Sequence, residues 1–369
     1  MIKQENTISL PCDVLRRFME VVFEKSGVPS DEAKICADVL MEADLCGIDS
    51  HGINRLKMYA DRIEKNIQLS GTDWKIVSDK DACTVIDGSN GMGQIVSYNA
   101  MKIAIEKARK YGCGISVARN SNHFGIAGYY TMMAVKNNMI GFTFTNARPS
   151  VNPTFGVEPL LGTNPISFGI PSDLPYPFLL DMATSICQRG KIEVLEKLGL
   201  PTPEGLVINN KGEYALDSKA ILKDLVDGAA ALLPLGGIGE ETSGHKGYGL
   251  STMVEILSAA LSQANYLRDT SGVHDGKDIP LGLGHFFMAI DIGHFLPVEQ
   301  CKKIIGCMIR VFHDSQKSPG QEKIYVAGEK EYITRQEREK VGIPINQTLQ
   351  KMILDLKNKW SLHDFVFPF

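Results

Sequence analysis

The stretch Ile166-Ser167-Phe168-Gly169-Ile170-Pro171-Ser172-Asp173-Leu174-Pro175-Tyr176-Pro177-Phe178-Leu179-Leu180 decides what kind of sheet this chain builds. Two short apolar runs, at 166–170 and 178–180, flank the turn Pro171-Ser172-Asp173-Leu174-Pro175, with no helical pattern between them. Strands joined this closely pair antiparallel if they pair locally, because a parallel crossover needs a dozen or more residues. The turn therefore argues against a purely parallel, doubly wound sheet.

Upstream, period-2 runs predict strands at 74–77, 83–86, 115–118 and 140–145, with helices over 96–110 and after Gly125. Before Ser70-Gly71 the period is 3.6, and helices are expected over 13–25, 31–45 (entered through Ser30) and 55–65. Downstream, helices are expected over 187–198, 218–232, 248–267 and 297–312, with a strong strand at 285–292. The tail reads as a strand at 324–326, a polar helix at 335–340 and an amphipathic helix at 346–360. The expected fold class is α/β, with a largely antiparallel mixed sheet and a helical domain. Residues 1–70, completed by 310–369, form the helical unit; 71–185 with about 280–309 form the α/β unit; 186–279 pack between them.

At 369 residues the chain can bury a large interior, and 44% apolar with 22% charged residues excludes disordered and fibrous classes. The net charge of −4 has no basic concentration, so no broad field favours nucleic acid, and an anionic ligand must be held by local groups. The eight cysteines contain no C-x-x-C pair and read as buried free thiols. No cationic-then-apolar leader precedes Pro11 and no apolar run reaches the roughly 18 residues of a membrane span, so the cytoplasm is the expected compartment.

Several groups could carry chemistry. In Ser121-Asn122-His123-Phe124-Gly125-Ile126-Ala127-Gly128 an imidazole follows an apolar strand and precedes a helix, where a general base would sit; the competing reading is a capping loop built on Ser121 or Asn122. In Asp49-Ser50-His51-Gly52-Ile53-Asn54-Arg55, with Tyr59, a helix beginning near His51 would put His51, Arg55 and Tyr59 on one face. That stripe suits a carboxylate, for which arginine offers a planar fork, or is simply a solvated face. The loop 87–94 has its glycines as G-x-x-G-x-G, the reverse of a dinucleotide fingerprint, and reads as a tight turn or a phosphate cradle. Asp181 ends a strand and either caps a helix or faces a ligand. Gly244-His245-Lys246-Gly247-Tyr248-Gly249 reads as a flexible basic turn opening a helix. His285 and His294 lack metal-ligand spacing, no H-E-x-x-H occurs, and no metal is expected. No G-x-S-x-G occurs, which argues against an α/β-hydrolase.

Taken together, Asp49-Ser50-His51-Gly52, the 87–94 loop, Asn122-His123-Phe124-Gly125, Gly162-Thr163-Asn164-Pro165, Asp181-Met182-Ala183-Thr184-Ser185, Arg189-Gly190-Lys191, Leu233-Pro234-Leu235-Gly236-Gly237 and His245-Lys246-Gly247-Tyr248-Gly249-Leu250 resemble the type-2 malate/L-lactate dehydrogenase family. That group also holds sulfolactate and ureidoglycolate dehydrogenases and imino-acid reductases. The resemblance spans nearly the whole chain, and the run from Leu233 to Glu241 is most similar to the malate branch.

The resemblance implies a non-Rossmann cofactor domain, a homodimer, a nicotinamide cofactor (NAD, with NADP the alternative) and a small 2-hydroxy or 2-oxo acid substrate. It implies catalytic roles for His123, His51 and Asp181, and substrate contacts from Arg55, Tyr59, Ser50, Thr163 and Asn164. Cofactor contacts are implied for Asn146, Ala147, Asp181, Met182, Ala183, Lys246, Gly328 and Glu329. Ala147 stands where some relatives carry serine, with Asn146 the substitute contact. The expected reaction interconverts malate and oxaloacetate, with His123 moving the proton. Other 2-hydroxy acids and imino acids use the same geometry, and a silent nucleotide-binding protein keeping the fold is the reading from a different class.

Overall fold

The computed structural model describes residues 7–369. The first six residues, assigned above to the helical unit and read for a leader, lie outside the described residues.

A seven-stranded sheet organises the chain, in the spatial order 75–80, 83–87, 113–121, 283–291, 139–145, 166–170, 178–182. The turn at 171–175 behaves as expected: the strand Ile166–Ile170 pairs antiparallel with Phe178–Met182, setting Ser167 opposite Asp181. Every neighbouring pair is antiparallel except Cys83–Asp87 with Cys113–Ser121, which the helix Gly93–Tyr111 connects. The late strand Leu283–Asp291 enters the middle of the sheet between two earlier strands. Its alternation feeds two cores: Phe287 and Ala289 pack beneath the helices Gly93–Tyr111 and Ala127–Lys136, whereas Phe286 meets Val117, Phe144 and Val254 on the other face.

A separate helical core joins the two ends of the chain. Helices Cys12–Lys25, Ser30–Leu45 and Leu56–Glu64 pack with residues 343–369. Strand Ile8–Leu10 pairs with Ile343–Ile345, and the helix Gln347–Lys359, capped by the Asn346 side chain, buries Leu349, Ile353 and Leu356. The first helix buries Leu15, Phe18, Met19, Val22 and Phe23 on one stripe, each contributing about 1.5–3 kcal/mol. A third cluster, containing Ile192, Val207, Ile221 and Leu232, is built on the antiparallel pair of Val207–Asn209 with Ala230–Leu232.

Several expectations are corrected. The helix at 218 stops at Asp227, where Gly228 turns left-handed (φ 72°), and 230–232 is a strand rather than helix. The helix expected over 248–267 begins at Gly244 and passes at Ile256–Ala260 into a π turn, so 244–249 is helical and not a flexible turn. Residues 324–326 form no strand, and the polar helix starts at Glu329. Only Cys36 and Cys187 are buried; Cys83 opens a strand near the sheet edge and Cys307 lies exposed on the helix Val298–Asp314. No described helix is long and apolar enough to cross a membrane, and no cluster of three metal-ligating side chains occurs among the described residues.

Candidate active site

His123 follows the strand Cys113–Ser121, and the 87–94 loop fixes its position. Gly88 N–H donates to Arg119 O and Asn90 N–H to Asn120 O, while Asn122 Nδ2 donates to Asn90 O and Gly91 O. A Cβ on Gly93 would lie 2.2 Å from Asn122 O, so this glycine lets the helix start press directly against the His123 backbone. The loop is thus a tight turn clamped to the strand end. Neither Ser121 nor Asn122 caps the following helix: Ser121 Oγ bonds His285 Nε2 (2.7 Å), and the helix amide of Gly128 is met instead by Asp181 Oδ2 at 2.7 Å. Asp181 therefore caps, and burial pushes its carboxyl up to about 6.

The expected helix at His51 does not form. Residues 53–55 make one 3-10 turn and the α-helix begins at Leu56, because the buried Asp44 captures this loop. Asp44 Oδ2 accepts from Ile53 N–H at 2.8 Å, and a Cβ on Gly52 would lie 1.8 Å from Asp44 Oδ1, so only glycine fits. The stripe converges all the same. Tyr59 Oη lies 2.6 Å from His123 Nδ1, the His51 ring stacks on His123 with centroids 5.7 Å apart, Ser50 Oγ bonds His51 Nδ1 (2.8 Å), and Arg55 Nε donates to Ser50 O (2.7 Å). His123 Nε2 has no hydrogen-bond partner among the described residues.

The site is electropositive. Burial holds His123 well below the usual imidazole range, aided by the nearby charges of His51, Arg55 and Arg62; burial and Arg55 bring His51 down to about 4. At neutral pH both rings are uncharged, the state in which His123 can accept a proton. Beneath them lies His285, which sequence reasoning considered only as a metal ligand. It is fully buried, bonded through Nδ1 to Thr145 Oγ1 (2.7 Å) as well as to Ser121, and stacked on Phe124 at 4.8 Å. Arg62 and Arg148 were also missed. Arg62 follows Tyr59 by three residues on one helix, a spacing that could have flagged it.

The remaining expected residues gather on neighbouring segments. Asn146 and Asn164 both donate to the buried carboxylate of Glu255 (3.2 and 2.8 Å), the residue just before the π turn, which also accepts from Leu267 N–H at the start of a 3-10 turn. Their amides thus hold the scaffold together. Ala147 O accepts from Thr270 Oγ1 and packs against Gly162, next to Thr163. Thr163 O accepts from Thr184 N–H, which brings this group to Asp181-Met182-Ala183. Gly328 (φ 89°) packs on Leu179 of the same edge strand, and Glu329 is engaged by Lys323 (2.6 Å) and His313 (2.8 Å). Lys246 is exposed in the first turn of the helix Gly244–Glu255, whose Gly247 lies against Leu235, itself bonded to Thr184 O. Beside Glu255 opens a cavity of about 640 Å³, lined by Leu161, Tyr248, Thr252, Ile256 and Leu267 among others.

The sequence profile of malate/L-lactate dehydrogenases matches residues 10–354. The chain belongs to that family. It is 46% identical to a malate dehydrogenase of Pyrococcus abyssi over 96% of its own length and 94% of that protein's. It is 36% identical to an L-sulfolactate dehydrogenase of Methanocaldococcus jannaschii, covering 98% of each. Its fold is similar to a crystal structure of malate dehydrogenase from Entamoeba histolytica, with a TM-score of 0.94, 40% identity, and coverage of 99% and 100%. With relatives named malate, lactate and sulfolactate dehydrogenases, this protein is a 2-hydroxy acid dehydrogenase.

Proposed function

We propose that the protein interconverts malate and oxaloacetate with a nicotinamide cofactor, NAD in preference to NADP, and that His123 is its general acid and base. The observation that carries this reading is the His123 imidazole, tied at Nδ1 to Tyr59 with Nε2 unengaged. In the oxidative direction His123 acts in the tautomer whose Nδ1–H donates to Tyr59 Oη, so that Nε2 takes the hydroxyl proton of the substrate and Tyr59 Oη steadies the charge at Nδ1. In reduction the imidazolium returns that proton to the forming alkoxide. Arg55, with Nε fixed on Ser50 O, directs its two terminal nitrogens at the C1 carboxylate. When bound, the nicotinamide supplies the hydride chemistry at C2. The neutral ring matches the oxidative step, and an anionic substrate that offsets Arg55 and Arg62 restores the proton affinity that reduction needs.

The donor set fits a phosphate-bearing cofactor: Lys246 is exposed in the first turn of a helix, where backbone N–H groups also favour anions. Lys246, Ala147, the backbone of 181–183 and Gly328-Glu329 would hold it. The reading takes 1–70 with 310–369 as the substrate-side domain, and the largely antiparallel α/β unit as a non-Rossmann cofactor domain. It includes a cytoplasmic homodimer, for which the exposed apolar side chains Ile256, Leu261, Met308, Val311 and Phe312 offer surface. Sulfolactate is the second reading, favoured by the 36% relative and by arginines that suit a sulfonate as well as a carboxylate.

The test follows the reduced-nicotinamide absorbance with NADH or NADPH and a panel of oxaloacetate, pyruvate, sulfopyruvate and a cyclic imino acid. Rapid loss with oxaloacetate and NADH supports the reading. Preference for another acid moves the substrate, and cofactor binding without turnover on any of them contradicts it in favour of a silent fold.

A further inference from the structure

The sequence contains twelve arginines, and nine of them meet a side-chain oxygen: Arg119 pairs with Asp87, for instance, Arg310 with Asp173 and Arg338 with Asp49. Arg55, Arg62 and Arg148 are the three that meet no side-chain acceptor among the described residues, and they converge on one place. Arg55 and Arg62 lie seven residues apart, on the segment that also carries Tyr59, while Arg148 arrives from the loop after Asn146-Ala147. Each bears on the proton affinity of Arg62 or Tyr59, so their charges are mutual neighbours.

Like charges brought together repel, and a buried guanidinium nitrogen without an acceptor costs more than an exposed one. Arg62 Nη1 is such an atom, buried and without a hydrogen-bond partner. Arg62 also lines a cavity of about 590 Å³ with Asn54, Met58, Lys65 and Asp278. Two acids line that cavity, Asp61, which pairs with Lys57 (2.6 Å), and Asp278, which lies 3.4 Å from Lys65; neither makes a hydrogen bond to the guanidinium. This is the electrostatics of a site that waits for an anion. Arg55 already has a role with the C1 carboxylate, and Tyr59 separates it from Arg62.

We infer that Arg62, backed by Arg148, receives a second anionic group on the substrate, so that the acid turned over carries a charged substituent beyond C2. The assignment rests on the reading that Arg55 holds C1. It makes Arg62 the residue that separates dianionic substrates such as oxaloacetate from uncharged-tail substrates such as pyruvate. A guanidinium that loses its acceptor discriminates strongly, because the pyruvate-bound site would leave Nη1 unpaired.

The test compares oxaloacetate with pyruvate on the wild type, Arg62→Met and Arg62→Lys. For Arg62→Met, kcat/KM with oxaloacetate falls by about 10- to 100-fold, mainly through KM, while that with pyruvate holds or rises. Arg62→Lys, which keeps the charge but not the fork, falls between. Equal loss on both substrates, or no loss on oxaloacetate, overturns the inference. A second measurement needs no variant: calorimetric binding of succinate and butyrate to the wild-type protein saturated with reduced cofactor. Succinate binds at least about tenfold tighter if the subsite exists, and equal affinities overturn it. A protein that reduces no acid on the panel but still prefers succinate refutes the proposed reaction and keeps the subsite.

Discussion

Two imidazoles packed into one small region, His123 and His285, have opposite fates. Both are held neutral chiefly by burial, His285 down to about 3 and His123 well below its ordinary range. His285 spends both nitrogens on hydroxyls, Thr145 on one side and Ser121 on the other, and its ring lies parallel to Phe124. His123 spends one nitrogen on Tyr59 and leaves the other without a hydrogen-bond partner, within the influence of Arg55 and Arg62. The difference is one of satisfaction rather than burial: a histidine with both nitrogens paired braces a sheet, and one with a single free edge can move a proton.

The sharpest way to break the comparison is to remove each ring. His123→Ala lowers turnover by about two to four orders of magnitude at unchanged cofactor affinity, read from steady-state kinetics and a nucleotide titration. Wild-type turnover in that variant removes His123 from the proton path. His285→Phe keeps a stacked ring but strands the hydroxyl of Ser121, while Thr145 keeps the carbonyls of Asn146 and Gly284; this costs about 1–3 kcal/mol in urea denaturation and leaves turnover within an order of magnitude of the wild type. If His285→Phe proves as inactive as His123→Ala while equally stable, the division between brace and catalyst is wrong.

A smaller effect separates the two loops that hold the site. Burial pushes the Asp44 carboxyl, which fastens the His51 loop, up to about 8, against 3.8 for the unperturbed group. The folded state therefore keeps a proton that the unfolded state has lost between those values. Asp44 contributes most below about pH 4, and its contribution is lost as pH rises through about 8. Asp44→Asn preserves an acceptor for Ile53 N–H and removes that slope, about 1 kcal/mol per pH unit or less in denaturation curves between pH 5 and 8. An unaltered slope would show that Asp44 is ionised in the fold.

Much of this was legible in the sequence. The turn at 171–175 fixed the antiparallel pairing, and the strand-His-helix pattern located His123. What was not legible depends on distant partners. A helix starting at His51 is locally reasonable, but Asp44 from the preceding helix captures Ile53 and delays it to Leu56. Strand Ile8–Leu10 exists because its partner, Ile343–Ile345, returns from the far end of the chain, and three residues carry too little periodicity to read alone. Residues 230–232 extend an apolar helical pattern until Gly228 turns the chain left-handed. His285 lacks metal-ligand spacing, and its bracing role is not visible in the sequence because its hydroxyl partners come from two other strands. Arg62 resembled any solvated helical arginine; only the pairing of nine other arginines makes its lack of an acceptor informative.

The central claim is that a neutral His123 takes the substrate proton, and the pH dependence of kcat/KM for malate oxidation tests it directly. With the folded imidazole well below 6.5, the account predicts a plateau that extends under pH 6.5, an acid limb only below it, and loss of that limb in the residual activity of His123→Ala. An acid limb centred at or above 6.5, or one that survives the loss of His123, would contradict the account.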